Sequence, residues 1–527
     1  MKNHKLTIYL VGVFISLGLY SCDNDDGNYD YHELAEFRIE ESEANQTLAV
    51  NQLDYVHLTP TLVYDEDLSD IEYTWSIYSS NIDAYNDILA DTISKEKNLE
   101  YQIVEKPGSY VIEYAATVMS SGRRTTTRYF LNVEGIFGTS GLFVLYDDGY
   151  TSDFAIIKTP VFSGTAQEGS VIYDIYSQAN PQRPLLGEAR KLGFFFNQTS
   201  SRVYLLTSED MVRLSTDNYS VVGDPQDGLF LTPPTTVNPQ FYYTRLQPNY
   251  PFPWAMYIPI EFMVNDGKIH GLLTDYAGEY PYFMTPKVVT GSSYVASPYI
   301  SLVGSAINAY DEQNGRFLIG STYSSELFEF AGTNAEASRN LNRTLLDYEP
   351  IQNMNLAAIM KDNDNDAYYL TAVTARNANT AGVVADINIS TLTNLSEANL
   401  FALHPLAPVG FYATSSTLYN FNYNTYSASA NPASVCWTAP DNEEITSLYL
   451  MSNAGSDLGG FMENDKNPQG KYMCVSTWNG TEGKIYILEL SLATGGFVDL
   501  VDSYEGFGKI KDMNFNIGRV VMVLPGQ

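Results

Sequence analysis

The sequence predicts an all-β chain of two domains, a small β-sandwich followed by a β-propeller, and three observations carry that prediction. Short runs of alternating apolar and polar residues, bounded by Gly, Asn, Asp and Ser, fill the chain from Glu36 onward. From Ile136 to Gln527 no run keeps the helical period of 3.6. Over that stretch groups of strand, polar turn and strand recur at roughly 40 to 65 residues, a repeat length that suits propeller blades. At 527 residues the chain also exceeds the roughly 250 to 300 that one core organises.

The chain begins with Lys2 and Lys5 ahead of a largely apolar run, Leu6 to Tyr20. That run suits a secretory signal and falls short of the roughly 20 residues that span a bilayer. It ends in Leu19-Tyr20-Ser21-Cys22, which resembles the lipobox of bacterial lipoproteins. The resemblance implies a signal peptide over 1–21 and lipid attachment at Cys22. The acidic Asp23-Asn24-Asp25-Asp26 resembles the export signal that takes Bacteroidetes lipoproteins to the outer face of the outer membrane. Residues 22–33 then read as a lipid-anchored acidic linker, polar and without period.

The first domain is expected over 34–135. Alternating runs at Thr47 to Val50, Val56 to Leu62, Ile71 to Tyr78, Tyr110 to Val118 and Thr126 to Val133 are spaced as in a sandwich. In Glu72-Tyr73-Thr74-Trp75-Ser76-Ile77 the period of two puts Tyr73, Trp75 and Ile77 on one face, as a central core Trp requires. With Gly108-Ser109-Tyr110-Val111 later on, the stretch resembles the PKD domain, an immunoglobulin-like sandwich. It departs from that pattern where Tyr78-Ser79-Ser80-Asn81 replaces the Gly-Asp-Gly that usually follows the Trp. The expected role is a rigid spacer, with a binding module as the alternative.

The second domain is expected over 136–527. Hairpin signals include Glu261 to Val264 with Lys268 to Thr274, Ser305 to Asp311 with Arg316 to Ser321, and Leu356 to Lys361 with Ala367 to Thr374. A propeller must close its ring, so Met513 to Leu524 is expected to share a blade with Leu142 to Tyr146. That gives seven blades, with eight as the alternative. No Trp-Asp or Gly-Gly pair recurs at a fixed phase, so the repeats are too degenerate to assign to WD40 or kelch.

The formal charge is −33 and becomes −35 once Lys2 and Lys5 leave with the signal. Such an excess opposes binding to nucleic acid, which needs a basic footprint. No enzyme signature stands out: His32, His57, His270 and His404 are scattered, and neither a nucleophile elbow nor a phosphate loop is present. No cofactor is expected beyond the lipid on Cys22. Asp362-Asn363-Asp364-Asn365-Asp366 has the oxygen ligands calcium takes but lacks the later Gly and bidentate Glu, so it reads as a turn and no metal site is assigned. Cys436 and Cys474 read as buried small apolar side chains, with a disulfide between them as the alternative.

The candidate ligand-binding stretch runs from Phe241-Tyr242-Tyr243-Thr244-Arg245 to Tyr250-Pro251-Phe252-Pro253-Trp254, with Tyr280 and Tyr282 following. Three Pro place these aromatics on a long inter-blade loop, where their faces suit stacking on sugar rings or gripping peptide side chains. The candidate ligand residues are Tyr250, Phe252, Trp254, Tyr280 and Tyr282, and the competing reading is that these aromatics pack the loop itself.

Lipobox, acidic run, PKD-like sandwich and degenerate propeller together resemble the PKD-like family of Bacteroidetes lipoproteins. That resemblance implies a surface-exposed, non-enzymatic accessory subunit of a TonB-dependent importer, beside a SusC-like transporter and a SusD-like lipoprotein, helping to capture oligosaccharide or peptide. The alternatives are a cell-surface propeller hydrolase or lyase acting on glycan, favoured by two converging carboxylates at the propeller mouth, and a structural adhesin.

Overall fold

A computed structural model of the protein describes residues 36–40, 47–65, 68–80, 90–138, 140–162, 169–196, 201–244, 261–272, 282–303, 306–321, 324–352, 355–451 and 470–517. The architecture is a β-sandwich followed by a seven-bladed propeller.

One layer of the sandwich is a five-stranded sheet. In it Thr47–Asn51 runs parallel to Arg124–Glu134, followed by Gly108–Val118, Ile71–Ser79 and Asp91–Ser94. The second layer is two strand pairs, Phe37–Glu40 with Thr61–Tyr64 and Tyr55–Leu58 with Leu99–Gln102. Alternation along Ile71–Ser79 sends Tyr73, Trp75 and Ile77 into the core, as expected. The Trp75 ring, fully buried, lies 4.5 Å from that of Tyr114, and its Nε1 donates to Glu96 O at 2.9 Å. A buried indole N–H left unbonded would cost more than the bond itself contributes, so this partner matters.

The sandwich is seated directly on the propeller. A Cβ on Gly135 would come within 2.6 Å of the Thr216 and Asp217 carbonyl oxygens, so only Gly allows that approach. Ile136 N donates to Asp217 O at 3.3 Å, Tyr219 Oη to Gly138 O at 2.6 Å, and Lys158 Nζ lies 3.9 Å from Glu134.

In blades two to seven the first strand of the sheet is nearest the axis. The innermost strands of blades two to seven are Ala189–Phe196, Pro239–Thr244, Ala296–Val303, Arg343–Ile351, Leu400–Leu403 and Glu444–Leu450. Blade one consists of Ser140–Asp147, Thr151–Lys158 and Ser170–Ile172, with Lys509–Ile517 as its innermost strand. This last strand pairs antiparallel with Ser140–Asp147, Leu142 opposite Phe515 and Val144 opposite Met513. Of the predicted closing segment Met513 to Leu524, the part through Ile517 closes the ring, and Gly518 to Leu524 lie outside the described residues.

Period-two alternation packs each blade against both neighbours. Phe143 and Leu145 join the cluster shared with blade two, whereas Leu142, Val144 and Tyr146 join the one shared with blade seven. Seven such clusters, one per interface, form the propeller core, and an eighth fills the sandwich. One interface also buries charge: Arg202 pairs with Glu261 across blades two and three, Tyr242 Oη donates to the same carboxylate at 2.8 Å, and the guanidinium lies 4.4 Å from the Phe195 ring centre.

One sequence expectation changes, and one, the turn at 362–366, holds. Phe241, Tyr242 and Tyr243 lie on the innermost strand of blade three instead of a loop, and Tyr242 is buried against Gly193, where any side chain would clash with its ring. Pro239 is tolerated at the start of that strand because the innermost strand is a free edge on its axial side. The acidic stretch at 362–366 is a hairpin turn: Asp362 Oδ1 accepts from Asp364 N at 3.0 Å and Asn365 N at 3.2 Å, and Asp366 takes φ 56°.

Candidate functional site

Six of the seven innermost strands carry a register shift against their second strand. Single residues are inserted at Arg190, Gln240, Leu346, Thr446 and Lys511, and blade four inserts the three residues Ser297 to Tyr299. A bulge re-aims side chains by breaking the alternation that otherwise commits each residue to one face. Blade five shows the effect. Leu345 and Tyr348 both belong to the cluster shared with blade four, which strict alternation would forbid, and the inserted Leu346 makes it possible. Asp347 and Glu349 thereby share the other side of the strand with Ile351.

Polar and aromatic groups collect along these strands. Lys191, Phe241, Tyr243, Tyr299, Glu349, Tyr449, Asp512 and Asn514 all stay partly exposed, each next to at least one buried residue. Their interactions run between blades. Lys191 Nζ of blade two lies 3.0 Å from Asp512 Oδ1 of the closing strand and 5.1 Å from the centre of the Phe241 ring of blade three. The same ammonium acts on Asp347 and Glu349 of blade five, favouring their charged forms. With blades three and four between them around the ring, that interaction runs through the middle. Tyr299 of blade four, in turn, feels the charge of Asp347.

The carboxyl pair is the most perturbed part of this belt. Asp347 Oδ1 accepts from Tyr348 N at 2.9 Å, while Oδ2 is buried and finds no partner among the described residues. Glu349 Oε2 accepts from Leu403 N of blade six at 2.6 Å. Burial, then the like charge of Glu349, holds the Asp347 carboxyl well above the usual carboxylate range. Burial also pushes Glu349 up, to about 7, against the opposing pull of the Leu403 N–H and Lys191. Two acids one residue apart on the same side of a strand titrate as a pair, so near neutrality the pair keeps a proton. Such a pair can accept a cation, or donate and take up a proton.

Among the described residues no group of three or more His, Cys, Asp or Glu is placed to hold a metal ion. His270 and His404 serve structure: His270 Nδ1 lies 2.9 Å from Met284 O, and His404 Nδ1 accepts from Leu406 N and Ala407 N, both at 3.0 Å. Cys436 and Cys474 are free thiols, buried in different inter-blade clusters.

Of the residues expected to bind ligand, Tyr250, Phe252, Trp254 and Tyr280 lie outside the described residues, as does Cys22. Tyr282 stands exposed beside Phe283, which is buried against Tyr204 and Phe230. Sequence reasoning missed the axial belt. Its one legible sign is a charge inside an otherwise strand-like run, as in Arg190-Lys191-Leu192 or Leu346-Asp347-Tyr348-Glu349.

Residues 22–184 match the model of the PKD-like family. The PKD-like match covers the sandwich and continues through the outer three strands of blade one. No curated protein matches the chain. Among solved structures, the chain is similar to a quinoprotein alcohol dehydrogenase-like protein from Bacteroides thetaiotaomicron, at 11% identity and TM-score 0.41, covering 92% of this chain and 100% of that one. It is also similar to the Dos1 propeller, at 9% identity, TM-score 0.38, and 75% and 85% coverage. The Nup133 β-propeller domain of Vanderwaltozyma polyspora follows at 8% identity, TM-score 0.33, and 67% and 90% coverage.

Proposed function

We propose that the chain is a lipid-anchored protein of the outer face of the outer membrane, an accessory subunit of a SusCD-type importer whose propeller captures oligosaccharide or peptide on its axis. The observation that carries the capture role is the axial belt, where aromatic rings and carboxylates from several blades converge on strands fixed by sheet hydrogen bonds. Preorganised groups of this kind bind at low entropic cost. The lipobox-like Leu19 to Cys22 and the PKD-like match support the anchored location and the spacer. The close seating of the sandwich at Gly135 suits a spacer that holds the propeller at a set height. Tethering beside a transporter raises the effective concentration of captured ligand, so modest affinity suffices.

Purification of the tagged chain from native membrane in mild detergent tests the assembly: a SusC-like barrel co-elutes, and recovery of the chain alone would sink the importer role. Titration of the full chain with oligosaccharide and peptide digests tests capture, with Tyr299→Ala and Phe241→Ala expected to weaken binding.

The Asp347–Glu349 pair favours a second reading, a surface hydrolase or lyase acting on glycan. An acid held protonated near neutrality beside an ionisable neighbour is what general acid–base chemistry needs. Product release from glycan digests by the wild type, absent in Glu349→Gln, would establish it.

A further inference from the structure

We propose that the axial belt binds a protonated amine, seated between the Asp347–Glu349 carboxyls and the Tyr299 ring. The inference rests on the axis being the capture site and names the chemistry of what is captured.

The belt already holds one ammonium in this way. Lys191 Nζ sits 3.0 Å from the Asp512 carboxylate and 5.1 Å from the centre of the Phe241 ring, a carboxylate and an aromatic face closing on one cation. The Tyr299 ring, its centre 5.8 Å from that of Phe241, extends this aromatic face toward blade five. Asp347 and Glu349 supply carboxyls, Tyr299 supplies a ring that feels the Asp347 charge, and the described residues offer no second ammonium there. Lys191, the one cation acting on both acids, is committed to Asp512.

Two buried polar atoms add to this. Asp347, 8% exposed, leaves Oδ2 without a partner, and Tyr423, 5% exposed and within the field of Glu349, leaves its hydroxyl unpartnered among the described residues. Native proteins rarely leave such atoms unsatisfied, and an ammonium offers three donors to satisfy a carboxylate. A hard divalent cation suits the place less well, since it takes six or more oxygens and the walls here are aromatic. The groups facing the pair are Lys191, Tyr299 and Tyr423, with Asp512 on the far side of Lys191. An arriving ammonium would release the proton that the pair retains near neutrality.

Ammonium groups come from basic peptides and from amino sugars, and one experiment separates the two. The full chain is titrated calorimetrically with L-lysinamide and with D-glucosamine at about pH 7.5, where aliphatic amines are largely charged. The N-acetylated form of each serves as its neutral control. At least one amine is expected to bind about tenfold or more tightly than its acetylated form, with heats that vary with buffer because a proton leaves. Asp347→Asn and Glu349→Gln, the latter keeping an acceptor for Leu403 N, should each weaken that amine about tenfold. Equal binding of amine and acetylated control would overturn the proposal. If neither amine binds while a neutral oligosaccharide or peptide does, the proposal fails and the capture site stands. If nothing binds in a way that Tyr299→Ala alters, both fail.

Discussion

Asp512 of the closing strand holds Lys191 of blade two by two routes, its Oδ1 3.0 Å from the ammonium and its Oδ2 accepting the neighbouring Leu192 N–H at 2.8 Å. One carboxylate thus ties the last described strand to the blade that opens the next turn of the ring. Asp512→Ala leaves a half-buried ammonium and a backbone donor without their acceptor. The expected loss is about 2–4 kcal/mol in urea unfolding, with Asp512→Asn losing less because it keeps one acceptor.

Stability should also report the Asp347–Glu349 pair. Their folded-state pKa values are raised, so the native state binds more protons than the unfolded chain. Their contribution is present in full below the unfolded carboxyl value and is lost as pH rises through the folded one. For Glu349 that window runs from 4.5 to about 7. Compared across the window, Glu349→Gln should lose less stability with rising pH than the wild type. Parallel curves of melting temperature against pH would contradict the assignment.

Trp75 fills the sandwich core and belongs to none of the propeller clusters. Trp75→Ala should cost about 3–5 kcal/mol, the usual range for emptying a large aromatic site. Calorimetry is expected to show an early sandwich transition with the propeller transition little moved. Trp75→Phe keeps most of the packing and loses the bond to Glu96 O, so its effect should be smaller.

Burial raises the thiols of both Cys436 and Cys474, the former to about 12, and thiolate is the reactive form. Neither should react with a maleimide in the folded protein at neutral pH, and both should react in denaturant. Mass spectrometry of labelled protein reads the count directly.

The sequence makes the period-two strands buried on both sides easy to recognise, such as Leu356 to Lys361, because apolar neighbours on either face leave a nearly continuous signal. The same reasoning anticipates Trp75 in a core and the pairing of Leu142 to Tyr146 with the closing strand. Innermost strands are harder to read, since their bulges break the period just where the polar residues sit. Arg343–Ile351 contains Asp347, Glu349 and Pro350, and Ala296–Val303 contains Ser297 and Pro298, compositions that suggest turns. Only an unpartnered axial edge makes these residues acceptable in a strand. The axial belt was hidden for the same reason: its members are single residues far apart in sequence, brought together only when the ring closes.

Closure by Lys509–Ile517 also constrains when the molecule can become native. Blade one has its outer three strands early and its inner strand last, so Ser140–Asp147 presents an open edge through synthesis of all six other blades. Pairing across that separation is slow because the loop entropy is met before any contact repays it. The sandwich has no such dependence and can fold first. A propeller that stays open until this strand arrives locks late, and axial ligand affinity would then report completed folding.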